Sequence, residues 1–155
     1  MLYRLYNSQD LEELYAIEDV CFEPPERFGR KYMGRLVGSP NGATWIAEQD
    51  GRMVGFAIVE WAQDAGEPIA YIETIEVLPA HRSHGAGSQL LTCIEDSARS
   101  ANAGWIWLHV DAGNEGAIRL YEAHGYGCEG TEENYYAPGR AALIYAKRLD
   151  SETAA

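Results

Sequence analysis

The stretch Arg82-Ser83-His84-Gly85-Ala86-Gly87-Ser88 carries the clearest chemical signal in this sequence. Glycines two residues apart let successive backbone N–H groups point one way. The helix that follows, with Leu90, Leu91, Ile94 and Ala98 on one face, adds its positive N-terminal end. Together these features make a cradle for a pyrophosphate, and the plain alternative is a strand-to-helix turn, since isolated Gly-x-Gly strings are common. A dinucleotide fingerprint needs a third glycine where Leu90 stands, and a Walker loop needs Gly-Lys-Ser/Thr, so neither fits. Upstream of the turn, Tyr71, Glu73 and Ile75 alternate and so share one strand face, while Glu76 takes the opposite face.

The elements that must position these residues follow from periodicity. Residues 2–6 alternate as a first strand. Ser8 or Asp10 can cap a helix bearing Leu11, Leu14, Ile17 and Val20, and Asp10 with Glu13 has capping-box spacing. Pro24-Pro25 breaks that helix, and Phe28, Tyr32, Met33 and Leu36 mark a second that stops at Gly38. Residues 43–48 and 53–62 flank Asp50-Gly51 as a hairpin, residues 64–68 read as a loop, and residues 69–78 form a strand ended by Pro79. After the glycine turn and its helix come a strand over 105–110, a helix capped by Asn114 and ended by Gly125, and a hairpin around Pro138-Gly139. This order predicts one α/β domain over residues 1–149, with a mixed, mostly antiparallel sheet of about seven strands and helices on both faces. Residues 150–155 read as a short acidic, disordered tail.

At 155 residues with 46% hydrophobic side chains, the chain suits a single domain with a real core. Its 24 acidic against 12 basic residues give a net charge of −12, the wrong sign for gripping a nucleic-acid backbone. No apolar run is long enough to span a membrane and no secretory signal opens the sequence, so the expected setting is cytoplasmic. Cys21, Cys93 and Cys128 lack metal-site spacing and sit among apolar residues, which predicts buried, reduced thiols and no metal.

Ile75-Glu76-Val77-x-Pro79-x-x-Arg82-x-x-Gly85-x-Gly87-x-x-Leu90-Leu91 resembles the acetyl-CoA signature of the GNAT N-acetyltransferases. Leu108-His109-Val110, Asn114, Ala117-Ile118-x-x-Tyr121-x-x-x-Gly125-Tyr126 and Asn134-Tyr135-Tyr136 resemble the second half of the same fold, most of all in the protein N-terminal acetyltransferases of the RimI and NatE catalytic-subunit types. The resemblance covers roughly residues 69–149, with Phe22-x-Pro24 the one match in the front half. It implies direct transfer of an acetyl group from acetyl-CoA to a primary amine. Backbone groups of Ile75, Glu76 and Val77 would hold the pantetheine arm, and the amides of Arg82, Ser83, His84, Gly85, Ala86, Gly87 and Ser88 the pyrophosphate. Such main-chain contacts suit an acidic protein, because amides and a helix end bind an anion without a positive surface. Asn114 would reach the pantetheine, alongside its role as a cap.

Transfer to an amine needs a base, and histidine, with an ordinary pKa of about 6.5, is the natural side chain. RimI-type enzymes carry glutamate at the position of His109, whereas the NatE type carries Leu-His-Val as here and pairs that histidine with a tyrosine aligning with Tyr71, the two acting through an ordered water. Tyr71 and His109 are therefore the expected base system. Glu73 is the competitor, as in many small-amine acetyltransferases, and a hydrogen-bonded core histidine is the bland alternative for His109. Tyr121 matches the family's acid, which protonates or hydrogen-bonds the departing sulfur, although its i, i+3 spacing from Ile118 also suits packing. Phe22, Pro24 and Pro25 would form one wall of an acceptor slot, and Tyr135 with Tyr136 the other. Glu26, Glu129, Glu132 and Glu133 make its mouth acidic, which favours a cationic acceptor. The family's usual acidic residue near the start of the last strand is replaced by Ala141-Ala142. The expected acceptor is the N-terminal α-amine of a protein or peptide. The alternatives are a polyamine, amino acid or aminoglycoside with Glu73 as base, or a non-catalytic acyl-CoA sensor. Either a monomer or a homodimer is compatible with the sequence.

Overall fold

The computed structural model describes residues 1–149, and the tail expected over 150–155 lies outside the described residues. In chain order the elements are β1 (Leu2–Leu5), α1 (Leu11–Cys21), α2 (Arg30–Val37), β2 (Gly42–Gln49), β3 (Arg52–Asp64), β4 (Glu67–Val77), α3 (Ala86–Ser100), β5 (Trp105–Asp111), α4 (Glu115–Ala123), β6 (Gly127–Ala137) and β7 (Arg140–Arg148). The seven strands form one sheet in the order β1-β2-β3-β4-β5-β7-β6. All neighbours are antiparallel except β4 and β5.

The unbroken apolar run of β3 is explained by burial on both sheet faces. Phe56 and Ile58 pack with Leu14 and Ile17 of α1 and Met33 and Leu36 of α2. Their alternates Ala57 and Val59 join Leu90, Leu91 and Ile94 of α3 on the other side. Asp50 and Gly51 both have positive φ, 53° and 77°, as the tight turn of the expected hairpin requires. The loop expected over 64–68 is instead a second such turn, with Ala65 at φ 54° and Gly66 at 87°, which leaves Asp64 facing Glu67 across the ladder. Pairing of two long strands there overrides the weak local preference of alanine for that conformation.

Three local expectations are corrected. Asp10 does not cap α1. Its carboxylate is claimed by Arg4, at 2.8 and 2.9 Å, and by the Asn7 N–H at 2.8 Å, so Asn7 caps a short 3-10 turn over Ser8–Asp10 instead. Val20 is exposed, because the buried stripe of α1 continues from Ile17 to Cys21, one turn on. Of the cysteines, Cys93 is buried and Cys21 half-buried, but Cys128 is exposed on β6, an edge strand facing solvent over most of its length. Among the described residues no helix is long and apolar enough to cross a membrane.

Phe56, fully enclosed between the sheet and the first two helices, is the natural probe of this packing. Phe56→Ala is expected to lower the unfolding free energy by about 3–5 kcal/mol in urea titrations, and Val20→Ala by less than about 0.5 kcal/mol.

Candidate active site

β4 and β5 pair only over residues 69–71 against 105–107. Beyond that point β4 stays with β3 as far as Val77, while β5 stays with β7 as far as Asp111. The parting leaves one edge of β4 without a strand partner and opens a cavity of about 610 Å³. Its walls are the two strands, Asn114, Ala117 and Tyr121 of the α4 region, the connection after α1, and Tyr135-Tyr136.

At the end of β4 the chain turns through Ser83 at φ 65° and Gly85 at φ 89° into α3. The first bond into the helix runs from Gln89 N–H to Gly85 O at 3.0 Å, so the amides of Ala86, Gly87 and Ser88 precede it and open the helix without a partner among the described residues. Arg82, expected here for its amide, uses its guanidinium to tie the turn to β4, with Nε donating to Val77 O at 2.7 Å and Nη2 reaching Cys21 Sγ at 3.6 Å. The side chains of Ser83 and His84 are exposed, and Ser88 Oγ lies 2.7 Å from His124 Nε2. An open strand edge leading to three free amides fits a long ligand that ends in a pyrophosphate. Ile75 lines the cavity through β4, whereas Glu76 and Val77 turn their side chains into the protein interior. Asn114 caps α4 by accepting from Ala117 N–H at 3.1 Å and also lines the cavity, so the two expected placements coincide.

Where the strands begin to part, three side chains form a chain of hydrogen bonds. Tyr71 Oη is 2.7 Å from His109 Nδ1, and His109 Nε2 is 2.7 Å from Glu132 Oε1. An ionised carboxylate only accepts, which places the imidazole proton on Nε2 and makes Nδ1 the acceptor of the Tyr71 hydroxyl. Burial, reinforced by the neighbouring Tyr135 and Glu73, raises the Tyr71 pKa well above the ordinary phenol range, so Tyr71 is a neutral hydroxyl with free lone pairs. Tyr135 stacks on His109 with centroids 4.2 Å apart and planes 11° from parallel, and Tyr136 meets Tyr135 edge-on. Both tyrosines reach the cavity because β6 bulges: it runs from Glu132 to Ala137 while β7 advances only from Ala142 to Arg140.

Glu73 lines the same cavity. Burial, and then the Glu60 carboxyl beside it, push it up to about 7, while a 3.2 Å hydrogen bond from Tyr32 Oη pulls it the other way. Tyr121 is buried and packs edge-on against Tyr126 at 5.5 Å, and burial raises its phenol above the usual range.

The slot wall after α1 is formed by Phe22 and Pro25 with Glu26, Arg27 and Phe28; Pro24, expected there, is exposed and outside the cavity lining. Sequence reasoning placed Glu132 only at the mouth of the slot, and missed Arg140 altogether. Arg140 pairs with both Glu26 and Asp111, tying the α1 connection, β5 and β7 together, and sits 5.8 Å from the Tyr136 ring centre. Ala142 faces Asp111 on one side and Glu132 on the other, so neighbouring strands supply the carboxylates that β7 lacks. No local signal marks such cross-strand placements.

Residues 10–126 match the acetyltransferase (GNAT) family. The chain is 30% identical over 143 residues to the N-terminal acetyltransferase A complex catalytic subunit NAA10 of Arabidopsis thaliana, covering 90% of this chain and 73% of that protein. The ribosomal-protein-S18-alanine N-acetyltransferase of Escherichia coli superposes with a TM-score of 0.84 at 26% identity, over 96% of this chain and 94% of that one. Naa50 of Arabidopsis thaliana, in complex with the bisubstrate analogue CoA-Ac-MVNAL, gives 0.81 at 28% identity over 94% and 97%.

The opposing influences on Glu73 can be separated. Glu60→Gln is expected to bring its titration down from about 7 toward the ordinary carboxylate range, and Tyr32→Phe to move it up, as followed by carboxyl-carbon NMR.

Proposed function

The chain belongs to the acetyltransferase (GNAT) family and is an acetyl-CoA-dependent N-acetyltransferase, and we propose that its acceptor is the free N-terminal α-amine of a protein or peptide. The observation carrying this reading is the Tyr71–His109–Glu132 chain where β4 and β5 part, enclosed by Tyr135-Tyr136 on one side and residues 22–28 on the other. Relatives named as N-terminal acetyltransferases, one of them bound to a CoA–peptide conjugate, support it.

Acetyl-CoA supplies the acetyl group as a thioester, and this chain's residues hold it and move protons. The amides of Ala86, Gly87 and Ser88 receive the pyrophosphate, and the unpaired edge of β4 the pantetheine arm. An α-amine has a pKa of about 7.7–8.0, so near neutral pH it gives up its proton readily to become a nucleophile, whereas a lysine side chain at about 10.4 resists more strongly. Tyr71 Oη accepts that proton while passing its own to His109 Nδ1, and the Glu132 carboxylate on Nε2 stabilises the resulting imidazolium. No phenolate forms along this route, in keeping with the raised Tyr71 pKa. Tyr121, a weaker acid than free phenol here, donates a hydrogen bond to the departing sulfur rather than surrendering its proton early. Glu73 is ionised above about pH 7 and attracts the cationic acceptor.

Release of CoA is to be measured with peptides bearing free N-termini, with the same peptides blocked but carrying free lysines, and with polyamines and amino acids. Turnover with free N-termini alone is expected, and turnover confined to the small amines would overturn the reading. His109→Ala is expected to lower kcat by roughly 10²-fold with little change in acetyl-CoA affinity, and Glu73→Gln to raise the peptide KM more than it lowers kcat. The reverse pattern would make Glu73 the base. Gly85→Val, forced into a left-handed backbone, should weaken CoA binding in calorimetry while leaving peptide binding unchanged.

A further inference from the structure

Two buried side-chain oxygens, Glu18 Oε1 and Glu76 Oε1, have no hydrogen-bond partner among the described residues that an ionised carboxylate could accept from. Both residues are only 2% exposed, on facing elements, Glu18 on α1 and Glu76 on β4. Their other oxygens are satisfied: Glu18 Oε2 accepts the Phe28 N–H at 2.8 Å, and Glu76 Oε2 accepts from Thr74 Oγ1 at 2.8 Å. Buried carboxyl oxygens are costly to leave unpaired, and two such atoms on adjoining carboxyls are satisfied together by one proton between them.

We propose that Glu76 Oε1–H donates to Glu18 Oε1, and that this shared proton positions the acceptor wall over residues 22–28 against the strand that carries the acetyl donor. The strut runs from Thr74 through Glu76 and Glu18 to the Phe28 amide, so it joins the donor strand to the segment enclosing the acceptor. The inference rests on reading the cavity as the acceptor slot. Burial, and then the Glu18 carboxyl facing it, push Glu76 well above the usual carboxylate range, in agreement with Glu76 as the protonated partner. The other groups around the pair do not replace the proton. Cys21 on α1 is a thiol held neutral by burial, Phe56 is the residue opposite Glu76 on β3, and the Arg82 guanidinium is committed to Val77 O and Cys21 Sγ. Arg27 is turned to Phe22 O and Asp19. Glu18 and Glu76 are thus positioning residues, acting through the Phe28 amide and the β4 backbone.

A carboxyl raised in the folded state contributes stability that is present in acid and is lost as pH rises through its folded pKa. Against Glu76→Gln, which shares the titration of Glu73 near 7 and of the acceptor amine, the wild-type melting temperature and peptide affinity are therefore expected to fall further as pH rises, with acetyl-CoA affinity steady in both. Glu76→Gln places a permanent N–H donor against Glu18 and should remove this extra pH-dependent loss. The infrared spectrum of the wild type should show a protonated carboxylic-acid carbonyl band, beyond the one Glu73 gives below about pH 7, that Glu76→Gln lacks. Glu18→Gln should lose the same band, and it carries the test if Glu76→Gln does not fold. Melting profiles of wild type and Glu76→Gln that shift alike with pH, or acid-band intensity undiminished in both variants, would overturn the shared proton. Because melts and spectra use the free protein, they separate this failure from a wrong acceptor. Flattened melts beside an unchanged peptide-KM profile would overturn the positioning role.

Discussion

The parting of two parallel strands is the constraint on which everything else in this protein depends. β4 and β5 share three register positions and then follow different partners, β3 and β7, each of which holds its strand through a long antiparallel ladder. Backbone N–H and C=O groups are rarely left unpaired inside a sheet, so an open edge in the middle of one stands as a binding feature. It is kept open because the covered faces are secure: α1 and α2 pack on one side and α3 on the other, around a β3 buried on both faces.

The two ends of that opening solve different electrostatic problems. At the donor end a protein of net charge −12 receives an anion, and it does so with main-chain amides at a helix start rather than with a positive side-chain surface. The one arginine in the turn, Arg82, holds the loop in place instead of offering its charge outward. At the acceptor end carboxylates accumulate, and each meets a different partner: Glu132 an imidazole, Glu73 a phenol and a second carboxyl, Glu26 and Asp111 a shared guanidinium. Among them, burial and the Glu60 carboxyl raise Glu73 to about 7, so it can exchange a proton near neutral pH.

Much of this was legible in the sequence because it rests on local rules. Hydrophobic periodicity placed the strands and helices, Asp50-Gly51 announced its hairpin, and Gly85-Ala86-Gly87 after a strand announced the helix start. The pairing of Tyr71 with His109 came from resemblance, since 38 positions separate them, and the structure sets the two in direct contact at 2.7 Å where the resemblance implied an intervening water. Errors arose where a partner outside the element outbid a preference within it. Asp10 was taken by Arg4, and Ala65-Gly66 was pulled into a tight turn by the strands it joins. Pro24 and Pro25 both read as part of the wall, and of the two Pro25 lines the cavity.

By itself the sequence determined the fold class and the strand, glycine turn and helix start after β4, because propensity, periodicity and motif spacing act over a few residues at a time. Only the tertiary structure decided that Glu132 completes the chain behind His109, that Arg140 bridges Glu26 and Asp111, and that Glu18 meets Glu76 in the interior. Each of these contacts joins residues from separate elements. Their approach is set by strand register, by a bulge in β6 and by the packing of α1 on the sheet, all of which exist only once the chain has closed on itself.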